Sequence, residues 1–132
     1  MQVDVVSPEK LLFSSEAVSV EIPGSDGDMT AMANHAPLIT TLRPGILRVV
    51  QEKGTSEYVV TGGFAELGET VSVLAEKAVL KADFDREIYD ELVTAAQTAL
   101  DAARASTVGD AVDMAAKSLS DFNTLGENLG FK

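Results

Sequence analysis

The chain contains no cysteine, and only 5% of its 132 residues are aromatic. Without thiols, disulfide bonds and cysteine-ligated zinc are excluded, and the absence fits a reducing compartment. The single histidine, His35, has no His or Cys partner, whereas a catalytic zinc ion usually takes three protein ligands. The sequence therefore predicts no bound metal and no cofactor.

Positive charge is also scarce, with 10 Lys and Arg residues against 21 Asp and Glu residues and a net charge of −11. No basic cluster is present that could neutralise phosphates, so we expect no nucleic-acid partner and no binding to an anionic membrane surface. No apolar run approaches the roughly 20 residues that span a bilayer, and Met1–Asp4 lacks the features of a signal peptide. We expect a soluble protein that stays where it is made, without insertion into lipid.

Motifs of enzymes are missing or incomplete. The Walker A, G-x-G-x-x-G and G-x-S-x-G patterns are all absent, and Ser7–Lys10 matches S-x-x-K without the companion motifs of that enzyme class. We interpret Ser7–Lys10 as a turn, because Pro8 suits a connection between strands. The sequence therefore predicts no catalytic residues and a protein that is not an enzyme.

Two loop features remain open. The segment Asp26–Asp28 begins like a calcium-binding loop, but Ala31 and Pro37 stand where an EF-hand needs Gly and Glu. It is either a solvated acidic hairpin tip or a loop that contacts another protein. His35 is either a loop residue that forms hydrogen bonds or a partner contact.

Residues 1–82 read as short strands separated by turns. Val18, Val20 and Ile22 alternate with polar residues at the period of two that is typical of a half-buried strand. Further β-branched segments lie between Gly- and Pro-containing turns, with no helical pattern among them. They are Val3–Val5, Leu38–Leu42, Ile46–Val50, Tyr58–Val60 and Val71–Leu74. This spacing predicts an antiparallel β-sandwich, or a sheet closed on itself, as the first domain.

Residues 83–132 change to a helical period. We expect Asp83 to cap a first helix that runs to about Ala105, a length of about 33 Å. A second, shorter helix and then a frayed tail containing Gly126 and Gly130 should follow. The apolar positions of the two helices are Phe84, Ile88, Leu92, Ala95, Ala96, Leu100 and Ala103, then Val112, Ala115, Leu119 and Phe122. The overall class is thus α+β, with a C-terminal antiparallel two-helix hairpin.

The alanine content of this hairpin has an energetic consequence. Each alanine in place of leucine forgoes about 2–2.5 kcal/mol of burial. We therefore expect the hairpin to detach more easily than the β-domain unfolds.

Three stretches of the β-domain resemble one known family, the epsilon subunits of F-type ATP synthases (delta in mitochondria). The order and spacing match over nearly the whole β-domain, and two helices follow in register. The stretches are Val5–Glu9 with Phe13 and Ser14; Gly24–Asp28 with Asn34–Leu38 and Arg43–Gly45; and Gly62–Glu66 with Val71–Glu76.

The resemblance implies a non-catalytic rotor subunit that links the gamma subunit to the ring of c subunits and couples proton-driven rotation to ATP synthesis. It implies that c-ring contacts come from Asp26, Asp28, His35, Ala36 and Pro37. It also implies that gamma covers one face of the sandwich, and that the hairpin contacts the alpha and beta subunits if it extends. The expected location is the cytoplasmic face of a bacterial inner membrane, with a processed mitochondrial chain as the alternative.

The helical part departs from the family in two respects. Some relatives bind ATP through an Ile/Leu-Asp-x-x-Arg-Ala motif, but here Ile88 and Tyr89 stand at its Arg and Ala positions, so we expect no useful ATP affinity. Relatives that inhibit hydrolysis carry basic residues on the second helix. Residues 106–132 instead have a net charge of −2, so we expect weak inhibition or none. A free-standing binding module built on the sandwich remains the alternative function.

Overall fold

The structure is a computed structural model that describes residues 1–33, 36–105 and 109–131. It divides into two compact units, Met1–Asp83 and Phe84–Lys132. The first unit is a β-sandwich and the second is a helical hairpin, so the expected α+β fold class is confirmed. His35 lies outside the described residues.

The first unit contains ten strands in the described residues. They are β1 (Gln2–Val6), β2 (Leu11–Glu16), β3 (Ser19–Gly24), β4 (Gly27–Met32), β5 (Leu38–Leu42), β6 (Gly45–Gln51), β7 (Gly54–Val60), β8 (Gly63–Leu67), β9 (Val71–Ala75) and β10 (Ala78–Leu80). Their order in the sheet is β10-β7-β6-β3-β5-β8-β9-β1-β2, and β4 lies off this path, paired to β3. Every pair is antiparallel except β1–β9, which is parallel.

The core follows from the period-two pattern that the sequence shows. Val3 and Val5 of β1 and Val71 and Val73 of β9 are all fully buried, whereas Asp4 between the first two is only partly so. Neighbouring side chains of a strand point to opposite faces, so one face of each strand enters the core. Burial of these β-branched residues provides the main stabilisation of the sandwich.

Four observed strands go beyond the segments that the alternation predicted. They are β2, β4, β8 and β10, and Gly63, expected in a turn, begins β8. The predicted turn at Ser7–Lys10 is present, closed by Ser7 N–H to Lys10 O at 3.0 Å and Lys10 N–H to Ser7 O at 3.3 Å. The literal S-x-x-K match is therefore a connection between β1 and β2.

The second unit contains helix α1 (Arg86–Arg104) and helix α2 (Gly109–Asn128), and a short 3-10 turn at Lys81–Asp83 precedes it. The expectation that Asp83 caps α1 is wrong. Asp85 is the N-cap, because its carboxylate accepts a hydrogen bond from Ile88 N at 2.9 Å. In the described residues, no helix is both long and apolar enough to cross a bilayer.

The helices pack antiparallel, since Tyr89 near the start of α1 donates a hydrogen bond to Phe122 O near the end of α2. Ala96, Leu100 and Ala103 are buried as expected, but Ala95 is exposed. The expected frayed tail is wrong at Gly126, which lies inside α2 and is buried.

Candidate functional site

The acidic tip predicted from the sequence is the turn between β3 and β4. These strands pair from Ser19↔Met32 to Gly24↔Gly27, which leaves Asp26 in the turn and Asp28 at the start of β4. Gly27 has a φ of 136°, in the region that favours glycine. Both aspartates are exposed, and Asp28 is in addition ion-paired with Arg43.

Arg43, in the connection between β5 and β6, holds this tip in place. Its guanidinium donates to Gly24 O at 2.6 Å and forms an ion pair with Asp28. Its backbone N–H donates to Pro23 O at 3.0 Å, and Ser25 N–H donates to Thr41 O at 2.9 Å. An exposed ion pair contributes little free energy, but several bonds together fix the position of the tip.

Ala36 and Pro37 are exposed and precede β5, beyond the other end of β4. Four strand steps separate Asp28 from Met32, a distance of about 14 Å at the usual rise per residue. The structure therefore does not gather the predicted contact residues in one cluster. They flank β4, with the aspartates at its beginning and Ala36 and Pro37 after its end.

The exposed side of β4 connects the two ends. Asp28, Thr30 and Met32 are exposed, whereas Ala31 between them is buried. We call this surface the β4 edge. Its members are Asp26, Asp28, Thr30, Met32, Ala36 and Pro37. Together they offer a partner carboxylates, a hydroxyl group and small apolar contacts.

A second surface, which the sequence did not reveal, is a row of apolar side chains on the outer face of the sandwich. The register pairs Phe64 with Leu74, Leu74 with Val6, and Val6 with Leu11, so the four side chains project from one face of β8, β9, β1 and β2. Phe64 is 44% exposed, Leu74 39% and Leu11 59%. We call these four residues the apolar row. Large apolar side chains at outward positions were the available signal, but only the register aligns them.

The neighbouring row on this face is polar. The register pairs Glu66 with Ser72, Ser72 with Asp4, and Asp4 with Ser14. Hydrogen bonds from Ser14 Oγ at 2.6 Å and from Gln2 Nε2 at 3.1 Å hold the pKa of Asp4 below its usual value. Asp4 is therefore charged at neutral pH. Asp4 and Glu66 together form an acidic margin beside the apolar row.

The strands β3, β6 and β7 carry charged side chains at the corresponding outward positions. Arg48 lies opposite Glu21 and Glu57, at 2.5 Å from the Glu21 carboxylate and 3.6 Å from that of Glu57. Lys81 Nζ lies 3.7 Å from the same Glu57 oxygen. These charges are already paired within the chain, so this part of the sheet is less suited to an apolar partner.

The start of α1 carries Ile88 and Tyr89 at the positions where the ATP motif expected from the resemblance is incomplete. Tyr89 is only 1% exposed. Arg86 donates from Nη1 to Phe131 O at 2.8 Å and from Nε to Asp90 Oδ1 at 3.1 Å. The guanidinium is thus held by groups of the hairpin itself.

Comparison with known proteins gives consistent results. Residues 1–81 match the family described as "ATP synthase, Delta/Epsilon chain, beta-sandwich domain". The chain is 53% identical to the ATP synthase epsilon chain of Fuscovulum blasticum, covering 99% of this chain and 97% of that one. It is 48% identical to the epsilon chain of Rhodobacter capsulatus, covering 98% and 96%.

A chain of the mitochondrial ATP synthase of Euglena gracilis, solved as OSCP, F1 and c-ring, has a similar fold, with a TM-score of 0.71. That likeness has 24% identity and covers 96% of this chain and 79% of that one. A family match over more than half of the chain, with close relatives along nearly all of it, is decisive. The chain belongs to the family of ATP synthase epsilon chains.

Proposed function

We propose that this chain is a non-catalytic subunit of the central stalk of a proton-translocating F-type ATP synthase. In this role it links the gamma subunit to the c ring and couples proton-driven rotation to ATP synthesis. The observation that carries the proposal is the 53% identity to an ATP synthase epsilon chain over 99% of this chain. The fold shared with a chain of the Euglena assembly of OSCP, F1 and c-ring supports it.

The β4 edge is the proposed contact with the c ring. Asp26 and Asp28 are exposed at one end, and Ala36 and Pro37 are exposed at the other. His35 belongs to the same proposal, although it lies outside the described residues. A partner in the form of a ring has many repeated loops, and an extended edge about 14 Å or more in length can meet more than one of them. The brace from Arg43 holds the acidic tip in place under load.

The apolar row is the proposed contact with gamma. Exposed apolar side chains that adjoin one another on a sheet face are typical of a protein interface. The row consists of Val6, Leu11, Phe64 and Leu74, and its acidic margin suits a partner that places basic side chains around an apolar centre. The paired charges of Glu21, Arg48 and Glu57 make the β3–β6–β7 region the weaker candidate.

The hairpin is proposed to inhibit ATP hydrolysis weakly or not at all. An inhibitory hairpin would bring α2 against the alpha and beta subunits and would need free cations there. In the described part of α2, Lys117 forms an ion pair with Asp121 of the same helix, at 3.0 Å. The acidic balance of this segment therefore opposes insertion beside an acidic partner.

The proposal puts the chain at the cytoplasmic face of a bacterial inner membrane, as a peripheral part of F1, because the close relatives named above are bacterial. Affinity purification of the tagged chain from detergent-solubilised host membranes tests it. Recovery of gamma, alpha, beta and the c ring together is the expected result. Recovery of the chain alone, from an extract in which the synthase stays intact, would favour a free-standing binding module instead.

A further inference from the structure

The open end of the hairpin, where α1 begins and α2 ends, contains an unusually close contact. Tyr89 of α1 is 1% exposed, and its hydroxyl donates to Phe122 O of α2 at 3.1 Å. Gly126 of α2 leaves the space for this ring. A Cβ atom at Gly126 would lie 2.0 Å from the Tyr89 hydroxyl oxygen and 2.4 Å from Cζ, so no other residue fits without displacing the tyrosine.

The chain after α2 returns to the same place. Phe131 N–H donates to Gly126 O at 2.8 Å, and Gly130 permits the reversal with a φ of 79°. The Phe131 ring lies 5.2 Å from that of Tyr89 and 6.1 Å from that of Phe84, measured between centroids. These separations are typical of aromatic pairs that attract one another. Arg86 adds a hydrogen bond to the Phe131 carbonyl at 2.8 Å.

From these contacts we propose that the C-terminal residues form a latch that closes the open end of the hairpin and controls whether α2 can separate from α1. The latch consists of Phe84, Arg86, Tyr89, Gly126 and Phe131. It joins the helix ends farthest from the connection between Arg104 and Gly109. The helices begin to separate at the ends that are not connected. Contacts between those ends therefore resist opening of the hairpin most. The device lies wholly within the helical unit and does not depend on the rotor assignment.

The rest of the hairpin gives the latch its importance. Ala96 and Ala103 are among the four buried residues of α1, and each buries only a methyl group. Apart from Leu100 of α1, the large side chains that are buried in the described part of the hairpin lie at the latch and beside it, where Phe122 is 7% exposed and Leu125 1%. We therefore expect α2 to leave α1 as a unit once the latch opens.

Hydrogen–deuterium exchange on the full chain can detect this separation. An isolated helix of this length is only marginally stable in water, so α2 should unfold when it leaves α1. Its amides should then exchange faster along its whole length, including residues 111–118, which lie about two helical turns or more before Gly126. Amides of β1 and β9 serve as an internal control that the β-domain stays folded.

Gly126→Ala should accelerate exchange over residues 111–118 by more than tenfold, because the added methyl group collides with Tyr89. In a Tyr89→Ala background the collision is absent and alanine is the better helix former, so the same substitution should leave exchange unchanged or slow it. Tyr89→Phe removes only the hydroxyl and should give a roughly two- to tenfold increase. Tyr58→Phe, which removes the similar hydroxyl that bonds Leu12 O in the β-domain, should not affect α2.

The decisive observation is that Gly126→Ala accelerates exchange in the wild-type background and does not accelerate it in the Tyr89→Ala background. The latch is refuted if Gly126→Ala accelerates exchange equally in both backgrounds. It is also refuted if the increase stays confined to residues 126–131, because that result would describe local fraying and not release of the helix.

Discussion

Replacing Phe64 by alanine should weaken binding of this chain to the gamma subunit. Phe64 is 44% exposed in the free chain. Since a phenylalanine can bury roughly 200 Å², about 90 Å² remain for the partner to cover. At about 25 cal/mol per Å² this area corresponds to about 2 kcal/mol, or roughly a thirtyfold change in Kd. Alanine retains part of the contact, so we expect a loss of roughly ten- to thirtyfold.

The chain offers a well-matched pair of leucines as a control. Leu74 is 39% exposed within the apolar row, and Leu80 is 45% exposed on β10, at the opposite end of the strand order. Truncating a fully covered leucine to alanine costs about 2.4 kcal/mol, and 39% of this is about 0.9 kcal/mol. Leu74→Ala should therefore weaken binding roughly fivefold. Leu80→Ala should leave it unchanged.

Biolayer interferometry on an alpha–beta–gamma subcomplex that lacks this chain measures these affinities directly. Thermal unfolding of each variant shows whether the sandwich itself is intact. If Leu80→Ala weakens binding as much as Leu74→Ala, or Phe64→Ala binds like the wild type, the apolar row is not the gamma contact.

Four further predictions concern the β4 edge and the hairpin. Asp28→Lys should lower proton-driven ATP synthesis in inverted membrane vesicles roughly two- to fivefold. Glu69→Lys, in the exposed β8–β9 turn, should not lower it. Equal effects of the two substitutions would refute the β4 edge as the c-ring contact. Deleting residues 83–132 should leave ATP hydrolysis by isolated F1 nearly unchanged, and a sharp rise would contradict weak inhibition. Calorimetry should detect no ATP binding, and saturable binding in the micromolar range would overturn this expectation. Burial raises the pKa of Tyr89 above its usual 10.0. The stabilisation that depends on the neutral hydroxyl is therefore present below pH 10 and is lost as the pH rises further. Thermal unfolding followed by helical circular dichroism should show this loss in the wild type and not in Tyr89→Phe.

Alternation in the sequence predicted the central strands well because both of their faces have defined environments. β6 and β9 show the expected pattern of buried and less buried positions. In β3 the expectation is only partly right, because Val20 and Ile22 are buried but Ser19 is buried too and Val18 is exposed. β2 does not alternate in this way. The register between β1 and β2 shifts between Val5 and Val6, so that Val5 lies opposite Phe13 but Val6 lies opposite Leu11. Such an irregularity depends on the partner strand, and the local sequence does not encode it.

The helix ends were predicted less well because long-range contacts determine them. Asp83 and Asp85 are both suitable N-caps by composition, and the structure selects Asp85. Phe84, directly before it, stacks against Phe131, a residue 47 positions later in the chain. Gly126 suggested a break in the helix, yet α2 continues through it, and the missing side chain leaves the space that Tyr89 of α1 occupies. Neither contact can be read from the local pattern.

The candidate surfaces divide in the same way. The residue types of the acidic tip were evident, since Asp26 and Asp28 flank a glycine in a turn. The sequence did not show that these aspartates are separated from Ala36 and Pro37, because that separation depends on β4, which runs between the two pairs of residues. The apolar row was not evident either, since its members come from four strands whose order in the sheet differs from their order in the sequence.

The β4 edge and the apolar row share no residue, and this separation suits the proposed role, in which the chain holds two partners at once. The β4 edge lies on a strand that pairs with β3 off the main path of the sheet, whereas the row crosses β8, β9, β1 and β2. Between them lies a core of fully buried valines, including Val5, Val20 and Val73. Close-packed interiors deform little, so a load applied at one surface reaches the other without loss of geometry. The latch contributes to neither surface. We infer that variants of the latch release the hairpin without loss of a rotor contact, and that variants of the two surfaces lose a rotor contact without release of the hairpin.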